Sequence, residues 1–147
     1  MPNSHWPVRV YRAALSGQAP AAVEAHLAGH GWSAAWRNGI YPYHHYHSTA
    51  HEVLVIACGQ ATLTLGGEGG PTVSVAEGDV LVLPAGTGHR RDAASADLLI
   101  IGAYAQGRSW DICRPEQTDP AEAHGRIVQV PDPLRDPVTG EPWSAGP

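Results

Sequence analysis

The stretch GIYPYHHYHSTAHEVLVIACG, residues 39–59, joins a histidine-rich segment to an apolar strand. Within it, four histidines and one glutamate fall in thirteen consecutive residues. Side chains two residues apart on a strand point the same way, so His45 and His47 share one face. His44 and Tyr46 then share the opposite face. A rise of about 3.3 Å per residue places two same-face imidazoles about 6–7 Å apart, which suits neighbouring ligands of one metal ion.

The strand that follows decides which of two neighbours, His51 or Glu52, faces the interior. If Leu54 and Ile56 fill the core of a barrel, the alternation of a strand turns Glu52 inward with them. His51 then faces outward, although a slip of one residue at the bend would exchange the two. Glu52 is therefore the expected carboxylate ligand, and His51 is its competitor.

A distant histidine is the candidate for the remaining ligand. His89 follows the strand VLVLP (80–84) and the glycine-rich corner AGTGH (85–89), which directs its side chain back across the sheet. Three neutral imidazoles and one carboxylate suit Fe(II), Mn(II), Ni(II), Co(II) or Zn(II), and they leave coordination positions for water or substrate. The residues thus predict one divalent transition metal ion as the cofactor.

The surrounding chain shows short strands at even spacing, which is typical of a β-barrel or sandwich. Residues 61–75 alternate on both sides of a glycine-rich turn and predict a hairpin. One helix of about three turns is expected to begin at Pro20. On the strand that follows the helix, Trp32 and Trp36 are expected to lie on one side.

The composition changes beyond Tyr104. Residues 115–147 contain seven prolines, so only RIVQV (126–130) is a candidate edge strand. We expect an extended arm that packs on the barrel or on a partner subunit and covers an exposed sheet edge, which favours a homodimer. The predicted organisation is one domain, 1–147, with a strand and helix in 1–31, a barrel core at about 32–104, and the arm at 105–147.

Two spaced motifs make the resemblance to a known family specific. Residues 39–59 read G-x5-H-x-H-x4-E-x6-G, residues 78–89 read G-x5-P-x-G-x2-H, and eighteen residues separate them. This resembles the two-part signature of the cupin superfamily, small jelly-roll-like barrels called double-stranded β-helices. The segments HSTAHEVL, PAGTGH and GAYAQGRSWDIC are similar to the YjlB-like cupins of unknown function.

The resemblance implies an all-β, double-stranded β-helix barrel with one short N-terminal helix and a proline-rich C-terminal arm. It also implies that the metal ligands are His45, His47, Glu52 and His89. The family's second motif usually ends in an asparagine four residues after its histidine, and Ala93 occupies that place. That asparagine is not a ligand, so the expected metal site is unaffected.

Two functions fit this interpretation. The first is a metal-dependent enzyme, a dioxygenase or an isomerase, acting on a small molecule inside the barrel. The alternative is a non-catalytic cupin that binds or senses a small ligand. One of Arg90 and Arg91 is a candidate for meeting an anionic substrate. The roles of His44, His51, Tyr46 and Trp110 stay open.

Charge and hydropathy exclude other partners. The net charge is −5, all nine basic residues are arginine, and no basic stripe is present, which argues against nucleic acid. No apolar run approaches the roughly 20 residues that cross a membrane. The N-terminal sequence does not resemble a signal peptide, so a cytoplasmic location is expected.

Overall fold

Strands dominate the computed structural model, which describes residues 1–144. The elements are β1 (Arg9–Tyr11), α1 (Pro20–Gly29), β2 (Trp32–Asn38), β3 (Glu52–Cys58), β4 (Gln60–Leu65), β5 (Thr72–Ala76), β6 (Val80–Leu83), β7 (His89–Ala94), β8 (Leu99–Ala105) and α2 (Pro120–Ile127). Neither helix within residues 1–144 combines the length and apolar character needed to cross a membrane. The predicted all-β fold is confirmed, and so is the helix that begins at Pro20.

Two antiparallel sheets enclose the main core. The larger sheet has five strands in the order β1-β6-β3-β8-β2, and the smaller has three in the order β5-β4-β7. Apolar side chains from both sheets meet between them, including Leu54 and Ile56 of β3 and Leu63 of β4. The predicted 61–75 hairpin is confirmed as the β4–β5 pair.

Successive side chains of β3 point to opposite faces of the sheet and pack in two separate hydrophobic clusters. Leu54 and Ile56 face the space between the sheets, while Val53 and Val55 pack on the opposite face with helix α1. All four side chains are buried. A strand covered on both faces reads as a continuous apolar run, and this is how residues 53–56 appear in the sequence.

The two tryptophans of β2 do not share a face, contrary to the prediction. A β-bulge shifts the β2–β8 register between Ala34 and Trp36. The extra residue reverses the alternation, so Trp32 packs on the α1 side and Trp36 packs against the core between the sheets. Gly102 of β8 makes room for the Trp36 ring, because a Cβ at that position would overlap it.

The predicted edge strand at residues 126–130 is wrong, and the chain has a second short helix, α2. The Asp119 carboxylate accepts a hydrogen bond from the Ala121 N–H (2.9 Å), and Pro120 stands in the first turn. Ala123 and Ile127, four residues apart, are the buried face of the helix. The capping by Asp119 and the burial of this apolar pair favour a helix more strongly than Ile127 and Val128, which are β-branched, favour a strand.

A buried ion pair between Arg9 and Asp136 holds the segment after α2 against the barrel. Arg9 Nη1 lies 2.9 Å from Asp136 Oδ2, and these side chains are 8% and 4% exposed. The Tyr11 hydroxyl donates to the same carboxylate, and the Arg9 guanidinium lies 3.7 Å from the centre of the Trp143 ring. The last three residues of the predicted arm, 145–147, lie outside the described residues.

Asp79, in the turn before β6, leads to a prediction about pH. Its carboxylate accepts hydrogen bonds from the Ala13 N–H (2.8 Å), the Ala76 N–H (2.9 Å) and Arg12 (3.1 Å). Burial raises the pKa of Asp79, but these donors outweigh burial and lower it. Because the folded pKa lies below the unfolded value of about 3.9, the stabilisation is present above that value and is lost as the pH falls through the folded pKa.

We therefore expect the free energy of unfolding to fall less steeply with acidification in Asp79→Asn than in the wild type. Urea denaturation followed by circular dichroism between about pH 5 and about pH 2 measures both slopes. If the free energy of unfolding changed equally with pH in Asp79→Asn and the wild type, the stabilising role of this carboxylate would be contradicted.

Candidate metal centre

Three histidines predicted as ligands converge in the structure. His45, His47 and His89 each place one ring nitrogen within 4.8 Å of the others, and all three are buried. Two backbone hydrogen bonds join His45 and His89, with N···O distances of 3.1 and 2.9 Å. This short pairing brings the first motif against the start of β7, so residues far apart in sequence meet at one point.

Each of the three imidazoles is oriented by a backbone carbonyl. Nδ1 of each ring contacts a carbonyl oxygen, which can only accept a hydrogen bond, so Nδ1 carries the proton. The pairs are His45 with Tyr43 (2.9 Å), His89 with Thr87 (3.0 Å) and His47 with Asp111. In the neutral ring Nε2 therefore keeps its lone pair, as metal-ligating histidines require.

Glu52 lies against two of the three histidines. Its Oε2 is 3.1 Å from His47 Nε2, and its Oε1 is 3.4 Å from His89 Nε2. The Tyr104 hydroxyl donates a hydrogen bond of 2.6 Å to Oε2. Oε1 is buried and makes no hydrogen bond with any residue in 1–144. A buried carboxylate oxygen without a donor is costly unless a cation neutralises it.

The electrostatics of the cluster favour cation binding. Burial alone would raise the pKa of Glu52, but His47 and His89 lower it far below its ordinary value, so the carboxylate is ionised. Burial and the neighbouring His89 lower the pKa of His45 to about 3, so this ring is neutral at neutral pH. Burial lowers the pKa of His47, and Glu52 more than reverses this and raises it. Three imidazoles and one ionised carboxylate fit a divalent transition metal ion, which would displace any proton that His47 shares with Glu52.

The contacts of His51 separate it from the cluster that its neighbour Glu52 joins. His51 Nδ1 accepts a hydrogen bond from the Ala85 N–H (2.8 Å), and its Nε2 lies 3.1 Å from the Pro131 carbonyl oxygen. Both ring nitrogens are thus engaged away from the cluster. Tyr46 also points away and packs against helix α2, which confirms the predicted alternation.

A cavity of about 490 Å³ opens onto the cluster. Its remaining lining residues are Trp36, Asn38, Gly39, Ile40, Tyr41, Pro42, Leu54, Arg91, Tyr104, Trp110 and Ile112. Trp110 stacks on Tyr104 with ring centres 4.4 Å apart, and both residues line this cavity. Arg91 lines the cavity, whereas Arg90 pairs with Asp92 at 2.9 Å.

Asp111 supports the cluster from beyond the last strand. Its carbonyl accepts from His47 Nδ1, and its carboxylate accepts from the Ser48 N–H (2.7 Å) and hydroxyl. Arg126 of α2 donates to the Ser48 hydroxyl (2.8 Å). Sequence reasoning missed Asp111, although it lies in the segment GAYAQGRSWDIC that carried part of the resemblance.

Comparisons with known proteins agree with the motifs. A family model described as a cupin domain matches residues 36–101. The uncharacterized protein YjlB of Bacillus subtilis (strain 168) is 38% identical over 136 residues, which cover 92% of this chain and 81% of that protein.

Solved structures give more distant matches. A DUF861 family protein from Thermotoga maritima matches with a TM-score of 0.43 and 19% identity, over 65% of this chain and 97% of that one. A formate complex of Lactobacillus farciminis oxalate decarboxylase matches with a TM-score of 0.43 and 17% identity over 61% of this chain. This chain spans only 30% of that decarboxylase.

Proposed function

The chain belongs to the cupin family, in its YjlB-like group, and we propose that it is a metal-dependent enzyme that acts on a small molecule in its cavity. One divalent transition metal ion is held by His45, His47, Glu52 and His89. The observation that carries this proposal is Glu52 Oε1, a buried anionic oxygen without a hydrogen bond beside imidazole lone pairs. Such a group needs a cation, and the cavity leaves room for substrate next to it.

The chain's own residues orient the site. When bound, the metal would supply Lewis acidity and open coordination positions for a small ligand. Tyr104 donates to Glu52 and accepts from the Trp36 indole N–H (3.1 Å), so a short chain of hydrogen bonds holds the carboxylate in place. Trp36, Trp110 and Ile112 line the ligand space with apolar surface.

The lining residues favour a dioxygenase over an isomerase. Besides the four proposed ligands, the ionisable side chains that line the cavity, among the residues described, are Tyr41, Arg91 and Tyr104. Burial and the adjacent Glu52 raise the pKa of Tyr104, so it remains a protonated donor. An isomerase that transfers a proton needs a base, and neither a guanidinium nor a phenol acts as one at neutral pH. We infer a small-molecule dioxygenase as the first candidate.

Nitric oxide tests the dioxygenase because it occupies the position that O₂ would take. We expect the purified protein, loaded anaerobically with Fe(II), to bind nitric oxide with a distinct electron paramagnetic resonance signal. The Zn(II)-loaded protein is the matched control and should give no such signal. An iron-loaded protein that fails to bind nitric oxide would exclude oxygen activation while leaving metal binding intact.

A second candidate function is a cupin that binds or senses a small ligand without turnover. It is also consistent with the lack of a base, besides the proposed ligands, among the described lining residues. The same cavity and metal would serve it. Tight binding of a small ligand to the metal-loaded protein, with no product after long incubation in air, would favour this function over the dioxygenase.

A further inference from the structure

Arg91 brings a positive charge to the wall of the cavity. It is the second residue after His89 on β7, so both side chains face the interior of the barrel. Its partner across the β4–β7 ladder is Leu63, which is buried in the core between the sheets. Arg90 faces the other way and pairs with Asp92 at 2.9 Å. The strand therefore separates a surface arginine from an arginine of the cavity.

Arg91 is the arginine whose side chain has no partner within residues 1–144. The other eight each have a partner. Seven donate hydrogen bonds: Arg9 to Asp136, Arg12 to Asp79, Arg37 to Glu24, Arg90 to Asp92, Arg108 to the Thr49 carbonyl, Arg126 to Ser48 and Arg135 to the Gly140 carbonyl. Arg114 forms an ion pair with Glu116. A half-buried guanidinium without a counter-charge is unfavourable. A negatively charged ligand in the cavity is best placed to pair with the Arg91 guanidinium.

The surroundings of Arg91 define the chemistry of that molecule. A single guanidinium balances one negative charge and matches a carboxylate in a two-point hydrogen bond, whereas a phosphate carries nearly two charges. Along β7, Arg91 and His89 are about 6–7 Å apart at the backbone, so one small molecule reaches both. Trp36, Leu54 and Trp110 line the same cavity with apolar surface.

We propose that Arg91 binds the carboxylate of the cavity's ligand, so that the substrates are small organic acids with an apolar or aromatic body. This inference rests on the proposed function in one respect, that the ligand occupies the cavity beside the metal. It makes Arg91 a residue that determines substrate charge, and it assigns no role to Arg90.

Benzoate and benzamide test the proposal because they have similar shapes and differ in charge. Binding to the Zn(II)-loaded full chain is measured by calorimetry and by quenching of tryptophan fluorescence. We expect the wild type to bind benzoate more tightly than benzamide. Arg91→Gln should weaken benzoate binding by about tenfold or more and leave benzamide binding unchanged. Arg91→Lys should retain part of the preference, and Arg90→Gln should match the wild type.

The outcomes separate this inference from the proposed metal function. Metal content is measured in every variant, and the titrations are repeated after chelation. A wild type with no preference for benzoate overturns the role of Arg91, and so does a preference that survives in Arg91→Gln, because the metal then holds the carboxylate. A preference that depends on Arg91 but persists after chelation supports the inference even if the metal proposal fails.

Discussion

Replacing His89 with alanine is expected to lower the affinity for the metal by more than about 100-fold, since even the outer partners of metal ligands are worth about 10–100-fold. His89 supplies one of three clustered nitrogens, and its Nε2 lies 3.4 Å from Glu52 Oε1. Its loss removes a proposed ligand and the contact that it makes with this oxygen. Elemental analysis after metal loading and gel filtration measures the stoichiometry, and competition with a chelating dye measures the affinity.

His44→Ala is the matched control for this substitution. His44 precedes a predicted ligand, but it lies outside the three-histidine cluster and does not line the cavity. The variant should bind metal like the wild type, and circular dichroism should show that both variants fold. Full metal occupancy in His89→Ala, or equal losses in both variants, would contradict the proposed ligand set.

Asp136→Ala is expected to lower the free energy of unfolding by about 3–5 kcal/mol, the usual cost of leaving a buried charge unpaired. Arg9 is nearly inaccessible to water and would lose its carboxylate partner. The N–H groups of Val138 and Thr139 also donate to Asp136, at 2.8 and 3.0 Å, so the turn in the arm would lose its support. Urea denaturation at neutral pH measures the change.

Two further variants show whether the buried charge causes the loss. Arg135→Ala removes the neighbouring exposed side chain, which donates to the Gly140 carbonyl, and should cost less than about 1 kcal/mol. The double variant Arg9→Met/Asp136→Ala removes both charges and should recover part of the stability lost in Asp136→Ala alone. A double variant less stable than Asp136→Ala would show that packing, and not charge, dominates this contact.

Local alternation predicted the orientation of the cluster because each strand face is decided by neighbours in sequence. The inward direction of His45, His47 and Glu52 and the outward direction of His51 follow from a period of two, and the contacts confirm them. The bulge that separates Trp32 from Trp36 depends on pairing with β8, so no pattern within β2 indicates it.

Elements with polar or mixed composition were harder to predict. The strand β7, HRRDAA, has no apolar alternation, because its inward face carries His89 and Arg91 and not core residues. The helix α2 has a capping signal at Asp119 that competes with Ile127 and the β-branched residues after it. The homodimer, the cytoplasmic location and the single-domain organisation stay predictions.

The acceptor for His47 Nδ1 lies 64 residues further along the chain than His47 itself. During synthesis, all four proposed ligands therefore leave the ribosome before Asp111 does. The carbonyl of Asp111 is the group that orients His47. Until the segment after β8 docks, the His47 imidazole lacks the carbonyl that holds its Nδ1 side. The proposed metal site is therefore complete, with all three imidazoles oriented, only when the segment after β8 has docked on the barrel.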